Sequence, residues 1–354
     1  MHRNTYAVIN TKNIKENVSK IIKKYNNYKY YFAVVKADCY GHTSITPIKE
    51  IISAGANYLA VATLDEALEI RKELKNIPVL CLGIIPTKYA KICDEKSITM
   101  TISSLSYAEE LIKENKYKNL KIHLKINTGM NRLGMKNEEE ILKTYKLLKE
   151  NNIFTEGVYT HIYEALNKEN TQKQLNKFIK LTENLPKEEI PIFHTSASDA
   201  LVLYNKIDFV NGCRLGIIIY GFTEDENLNL KSTIKLVSEV IQINELTKDE
   251  TVGYNGIYKA KKREKIAVVP CGYADGVIRK NTGREVYIND KKYKIVGNIC
   301  MDMLFVKVDE NVKVGDKVLL LKDNNHIKSV SKHLETIPYE VLCSISKRVP
   351  RIYK

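Results

Sequence analysis

The stretch "FAVVK", residues 32 to 36, ends an apolar run on an amine. Burial disfavours the charged form of a lysine. An amine at the end of such a run therefore gives up its proton more readily and can attack a carbonyl to form a Schiff base. Further along, cationic or hydrogen-bonding residues follow short β-branched runs. Lys125 closes "LKIHLK" and Arg132 lies in the next loop, "NTGMNRLG". His161 closes "EGVYTH", Ser198 follows "IPIFHTSA", and Arg214 and Gly216 follow "FVNGC". This set is rich in donors and suits an anionic ligand, a phosphate above all. Tyr40 and Gly41 shape the turn after Lys36, where a hydroxyl could meet such a phosphate.

The elements that must position these residues are legible as a pattern. From about residue 29 to 220, eight short runs ("YYFAVVK", "YLAVAT", "PVLCLGI", "ITMTIS", "LKIHLKI", "EGVYTHI", "IPIFHTS", "FVNGCRL") alternate with longer segments. "TLDEALEIRKELK", "SLSYAEELIKENK", "NEEEILKTYKLLKENN" and "TQKQLNKFIKLTENL" have apolar residues at helical spacing. Eight strands separated by helices predict an α/β fold, a (β/α)8 barrel of the TIM type, which collects its chemistry at the C-terminal strand ends. After about residue 225 the runs "IKLVSEVIQINEL", "EKIAVVP", "EVYIND", "YKIVGNI", "MLFVKVDE" and "DKVLLL", with Gly, Asn and Asp turns, predict a mostly β C-terminal domain. The expected domains are a barrel over residues 10–225 and a β domain over 226–354, joined by an N-terminal strand within 1–9.

The 354 residues suffice for two such units. The net charge of +14 would suit nucleic acid or a membrane surface if it were concentrated. Instead the lysines are spread along helical segments with glutamates three or four residues away, which is a solvated surface. Neither nucleic acid nor membrane is expected as a partner. The seven cysteines are odd in number and form no CxxC pair, so neither a zinc site nor any other metal is expected. With no signal peptide at "MHRNTYAVINTKN" and no run near the ~20 residues of a membrane helix, reduced thiols and a cytoplasmic location are expected.

"AVVKADCYGHT" resembles the cofactor-lysine motif of the alanine racemases. "HLKINTGMNRLG", "EGVYTHI", "CRLGIIIYG", "VGYNGIYKA", "CGYADGVIR", "GNICMDM" and "IPYEVLCSISKRVPRIY" are similar to that family in the same order, across nearly the whole chain. The resemblance implies a pyridoxal 5'-phosphate enzyme that assembles as a homodimer with shared active sites. Lys36 would hold the cofactor as a Schiff base and serve as one acid/base group. Tyr254, from the partner copy, would be the other. His161 and Arg214 would complete a chain from that tyrosine, with Arg214 facing the cofactor's ring nitrogen. Tyr40, Ser198, Tyr339, Gly216 and Ile217 would hold the phosphate. Arg132 would orient the substrate carboxylate, aided by Met301 and Asp302 of the partner. Tyr273 would narrow the entrance, and Lys125 matches a lysine often carbamylated in the family.

Some positions depart from the family pattern. Asn127 stands where aspartate is common, Ile162 and Tyr163 where phenylalanine and a small residue are usual, and Ala197 where asparagine often precedes the phosphate serine. The implied activity is interconversion of L- and D-alanine by a two-base mechanism, supplying D-alanine for peptidoglycan. The same groups would serve a serine or broad-specificity racemase. A non-catalytic pyridoxal-phosphate carrier or a barrel decarboxylase would share the barrel.

Overall fold

The computed structural model describes residues 2–43, 45–114 and 117–354. Two compact units result. One comprises Lys15–Cys39 and Pro47–Leu230, the other Met1–Ile14, Tyr40–Thr46 and Lys231–Lys354.

The second unit begins with strand β1 (Tyr6–Ile9), and the first holds the next eight: β2 (Tyr30–Val34), β3 (Tyr58–Val61), β4 (Val79–Cys81), β5 (Ile98–Ile102), β6 (Lys121–Lys125), β7 (Phe154–Tyr159), β8 (Ile192–Ala197) and β9 (Gly212–Leu215). Strands β2 to β9 pair in parallel and close into a barrel, with Phe32 of β2 opposite Arg214 of β9. The expected (β/α)8 barrel is therefore present. Apolar burial supplies its frame: Phe32, Tyr58, Leu80 and Ile192 pack together inside it.

The helices between strands start where their caps dictate. Thr63 and Glu66 form a reciprocal capping box at the start of Leu64–Glu73. Asn137 caps Glu138–Glu150 by accepting from the Glu140 amide at 2.8 Å, and three glutamates follow in the first turn, where the helix dipole favours them. Asn167 does the same for Lys168–Leu181. The predicted helix over "SLSYAEELIKENK" is seen as Leu105–Glu114; its residues 115 and 116 lie outside the described residues.

The other unit is mostly β, as expected. Its strands continue the count: β10 (Ile234–Glu239), β11 (Gln242–Leu246), β12 (Thr251–Val252), β13 (Tyr258–Lys259), β14 (Glu264–Val269), β15 (Glu285–Ile288), β16 (Lys291–Val296), β17 (Leu304–Val308), β18 (Lys317–Leu321) and β19 (Arg351–Tyr353). Nine strands form one sheet in the order β11-β14-β17-β16-β15-β18-β10-β1-β19. The N-terminal β1 lies antiparallel to β10 and parallel to β19.

The run "IKLVSEVIQINEL" is two strands, not one. Val240 donates to Asp316 O, but the next amide, of Ile241, donates to Val268 O, so the chain changes partners there. Two helices, Asn324–Leu334 and Pro338–Cys343, also belong to this unit and were not expected. No helix among the described residues is long and apolar enough to cross a membrane.

The Asn137 cap is testable. Asn137→Ala should cost about 1 kcal/mol, read in scanning calorimetry as a Tm lower by roughly 2–4 °C. Asn137→Ser should stay near wild type. An unchanged Tm in the alanine variant would show that the cap is idle.

Candidate active site

The strand ends carry the residues the sequence singled out. Lys36 stands two residues beyond β2, half-buried, and the chain then does something rare. Ala37, Asp38, Cys39 and Tyr40 all have φ between 50° and 53°. Four consecutive non-glycine residues thus sit in the left-handed region, at roughly 1–2 kcal/mol each. The turn is gripped at its start, where the Ala37 amide donates to Glu66 Oε1 at 2.7 Å. Glu66 is the same residue that completes the capping box.

Arg214 is the centre of the barrel site. It is buried, and its donors are taken by uncharged groups. Nη2 donates to the carbonyls of Thr160 (2.8 Å) and Thr195 (2.9 Å) and to His161 Nδ1 (3.4 Å), while Nη1 donates to His194 Nδ1 (2.8 Å). No carboxylate touches it among the described residues. Burial lowers its pKa to about 10, which leaves it cationic at neutral pH.

His161 is held neutral. Burial first, then the charges of Arg214, Lys125, Arg132 and Lys36, bring its pKa down to about 3. Because a guanidinium can only donate, Nδ1 of His161 must accept and its proton must sit on Nε2. Lys125 ends β6, buried, with Nζ 4.6 Å from the ring centre of Tyr159. Burial, Arg214 and Arg132 together press its ammonium well below the usual lysine range. Lys125, Arg132 and His161 line one small pocket with Asn127, Thr128 and Thr160. Asn127 shapes that loop: its Oδ1 accepts from the amides of Gly129 and Asn131, both at 3.1 Å. An aspartate there would accept from the same two amides but could not make the 3.4 Å donation from Asn127 Nδ2 to Asn131 Oδ1.

Ser198 follows β8 at the start of Ser198–Leu203. Its hydroxyl accepts from the amides of Gly216 (3.2 Å) and Ile218 (3.4 Å). A hydroxyl and two amides thus converge at the end of β9.

In the other unit, Tyr40 and Tyr339 lie side by side, ring centres 5.9 Å apart. Burial, then Tyr339 and Cys343, raise the Tyr40 phenol above its ordinary range, so it stays protonated and able to donate. Arg351 clamps the loop beyond it, donating twice to Gly41 O. Gly41 has φ +78°, and a Cβ there would lie 2.1 Å from Leu342 O, so no other residue fits. Tyr254 is 71% exposed, and its hydroxyl has no hydrogen bond among the described residues. Its carbonyl is held by Asn298 at 2.9 Å. Tyr273 and Met301 are also exposed and are zipped together: the Tyr273 amide donates to Cys300 O and the Ala274 amide to Met301 O.

Two family models match the chain: the alanine racemase N-terminal domain over residues 9–224 and the C-terminal domain over 233–353. The chain belongs to the alanine racemase family. It is 37% identical to alanine racemase 1 of Bacillus subtilis, covering 99% of this chain and 93% of that one. It is 35% identical to the alanine racemase of Ligilactobacillus salivarius, covering 100% and 99%. The crystal structure of the Bacillus anthracis alanine racemase with bound L-Ala-P superposes with a TM-score of 0.93 at 31% identity, over 100% of this chain and 96% of that one. A histidine racemase from Leuconostoc mesenteroides reaches a TM-score of 0.89 at 24% identity, which shows the shared fold alone.

Members of the alanine racemase family thus share both units of this chain. Sequence reasoning singled out the outer residues of the barrel site but missed those beneath them. His194, His123, Glu156 and Tyr159 lie inside the barrel, one layer deeper. Their signal was available: His123 is two residues before Lys125, and Tyr159 two before His161, on the same strand face.

The His161 environment sets a pH dependence. Its folded pKa of about 3 lies below the ordinary 6.5, so on acidification the unfolded chain takes up this proton first. The contribution is whole above about pH 6.5 and is lost progressively toward about pH 3. The Tm of the cofactor-free protein should fall from pH 7 to pH 5, and less steeply in His161→Gln. Equal slopes would mean that His161 is already solvated.

Proposed function

We propose that this protein interconverts L-alanine and D-alanine with pyridoxal 5'-phosphate. The observation that carries the reading is the pairing of a half-buried Lys36 with a barrel-end donor set built for an anion. The residues fit the cofactor. Ser198 and the amides of Gly216, Ile217 and Ile218 would hold its phosphate with Tyr40 and Tyr339, and Lys36 would hold it covalently. Arg214 can only donate, so a ring nitrogen held against it would accept and stay unprotonated. When bound, the cofactor delocalises charge from the substrate Cα and so acidifies the Cα–H bond.

The chain's own residues do the rest. Lys36 Nζ takes or returns the Cα proton on one face. Tyr254 Oη from a second copy does so on the other, so neither group has to swing around. His161, pinned by Arg214 as an Nε2–H donor, is suited to stabilise the Tyr254 phenolate. Arg132 orients the substrate carboxylate with the Met301 backbone and neighbouring Asp302 of the second copy, and Tyr273 narrows the approach. Burial and the neighbouring charges weaken the hold of Lys125 on its proton, so its amine as free base is suited to attack CO2 and lose one proton, giving a carbamate. That carbamate would replace the repulsion between Lys125 and Arg132 by attraction.

A homodimer follows from the same reading. Tyr254, Ile257, Tyr273, Ile278, Met301 and Met303 are large and exposed, which suits a surface that a second copy covers. We assign residues 10–225 to cofactor binding and 226–354, with the N-terminal strand, to completing the partner's site. The product would supply D-alanine to peptidoglycan in the cytoplasm.

Chiral chromatography of L-alanine, L-serine, L-lysine and L-arginine incubated with the holoenzyme tests the reading. Alanine should turn over fastest. Tyr254→Phe should lose on the order of 10²–10⁴-fold, the range for removal of a general acid/base. Faster turnover of another amino acid would overturn the substrate assignment. Retained activity in the phenylalanine variant would overturn the role of Tyr254.

A further inference from the structure

Arg214 is a buried cation, and the path from it into the barrel is polar all the way. His194 Nδ1 accepts from Arg214 Nη1 at 2.8 Å. His194 Nε2 lies 2.9 Å from His123 Nδ1. His123 Nε2 lies 3.4 Å from Glu156 Oε2. Glu156 also receives the Tyr58 hydroxyl at 2.5 Å and pairs with Lys121 at 2.9 Å.

Each proton on this line can be placed. A guanidinium only donates, so His194 Nδ1 must be a bare acceptor and its proton must be on Nε2. That N–H then donates to His123 Nδ1, which puts the His123 proton on Nε2. From the other end the answer is the same. A carboxylate only accepts, and a lone pair on His123 Nε2 facing Glu156 would be repelled. His123 Nε2 makes no hydrogen bond among the described residues, and the carboxylate that faces it is Glu156, at 3.4 Å.

The barrel is built around the two rings. His194 stacks on both Phe32 and Tyr159, at 4.5 and 4.7 Å between centres and nearly parallel to each. A Cβ on Gly157 would fall 2.6 Å from the His123 ring. One on Gly212 would fall 3.1 Å from His194 Cβ and 3.2 Å from Phe32. Two neighbouring strands are therefore cut back to glycine beside the two histidines.

We infer that Glu156, His123 and His194 form a one-directional polar relay through the barrel core that positions Arg214, hydrogen-bonded from Arg214 to His123 and electrostatic from His123 to Glu156, with both histidines neutral and protonated on Nε2. The relay gives a buried guanidinium an anionic counterweight two rings away and none beside it. A carboxylate in direct contact would neutralise the guanidinium at the site itself. Through two neutral rings, Arg214 keeps its charge while its Nη1 is fixed in direction. These are positioning residues. Their effect on turnover rests on the role proposed for Arg214, but the proton positions do not.

The experiment is magic-angle-spinning NMR of 15N-histidine-labelled holoenzyme at pH 7, with signals assigned by His123→Gln and His194→Gln. Both rings should give neutral, Nε2–H patterns. An Nδ1–H tautomer or an imidazolium at either ring would overturn the relay, whatever the enzyme turns over. The second measurement is Glu156→Gln, which keeps shape and an acceptor but removes the charge. It should lower kcat for alanine about tenfold with KM within twofold, and His123 should show a second tautomer. An unchanged kcat and an unchanged His123 spectrum in a variant of wild-type Tm would overturn the positioning role. Wild-type protein that racemises no amino acid would fault the functional reading and leave the tautomer result standing.

Discussion

A guanidinium with no carboxylate against it, sealed inside a barrel, is the constraint on which the site depends. Arg214 stays charged although burial weakens its hold on the proton. Its Nη donors are taken by three carbonyls, of Thr160, Thr195 and His194, and by two histidine nitrogens. That choice propagates. Each histidine is forced to present its proton on the side away from the arginine. His161 turns an N–H toward the mouth of the barrel and His194 turns one toward the core. Burial first, and then the same charge, push Lys125 and His161 toward their neutral forms. One cation thus sets the protonation of its neighbours, and the glycines and aromatic rings of the barrel wall are cut to fit the result.

The frame of this arrangement was legible in the chain. Alternation of β-branched runs with helical spacing is a strong local signal, and the eight strands appear where that signal lies. The residues at the strand ends were legible too, because Lys125, Ser198 and Arg214 stand at or beside the ends of short β runs. The inner layer was not. His123 in "KIHLK" and Glu156 in "FTEGVY" look like polar interruptions of a strand, and their partners lie on other strands. A contact between residues 33 positions apart, on separate strands, leaves no mark on either one.

The β domain shows a different limit. "IKLVSEVIQINEL" has the composition of one strand, and nothing local says that the chain changes partners at Ile241. Tyr254 shows a third. As a residue it is an exposed tyrosine in a turn, and only the resemblance to a family gave it a task. A turn after Lys36 was legible, but its left-handed backbone over Ala37–Tyr40 was not, for the opposite reason. Local propensity argues against four left-handed residues without a glycine, and the tertiary setting overrides it.

That turn has a consequence for how the molecule is made. No local force favours it, so it cannot nucleate. It persists because β2 and Glu66 hold one end and the arginine-clamped loop at Gly41 holds the other. Without those two holds, residues 37 to 40 would relax toward ordinary backbone.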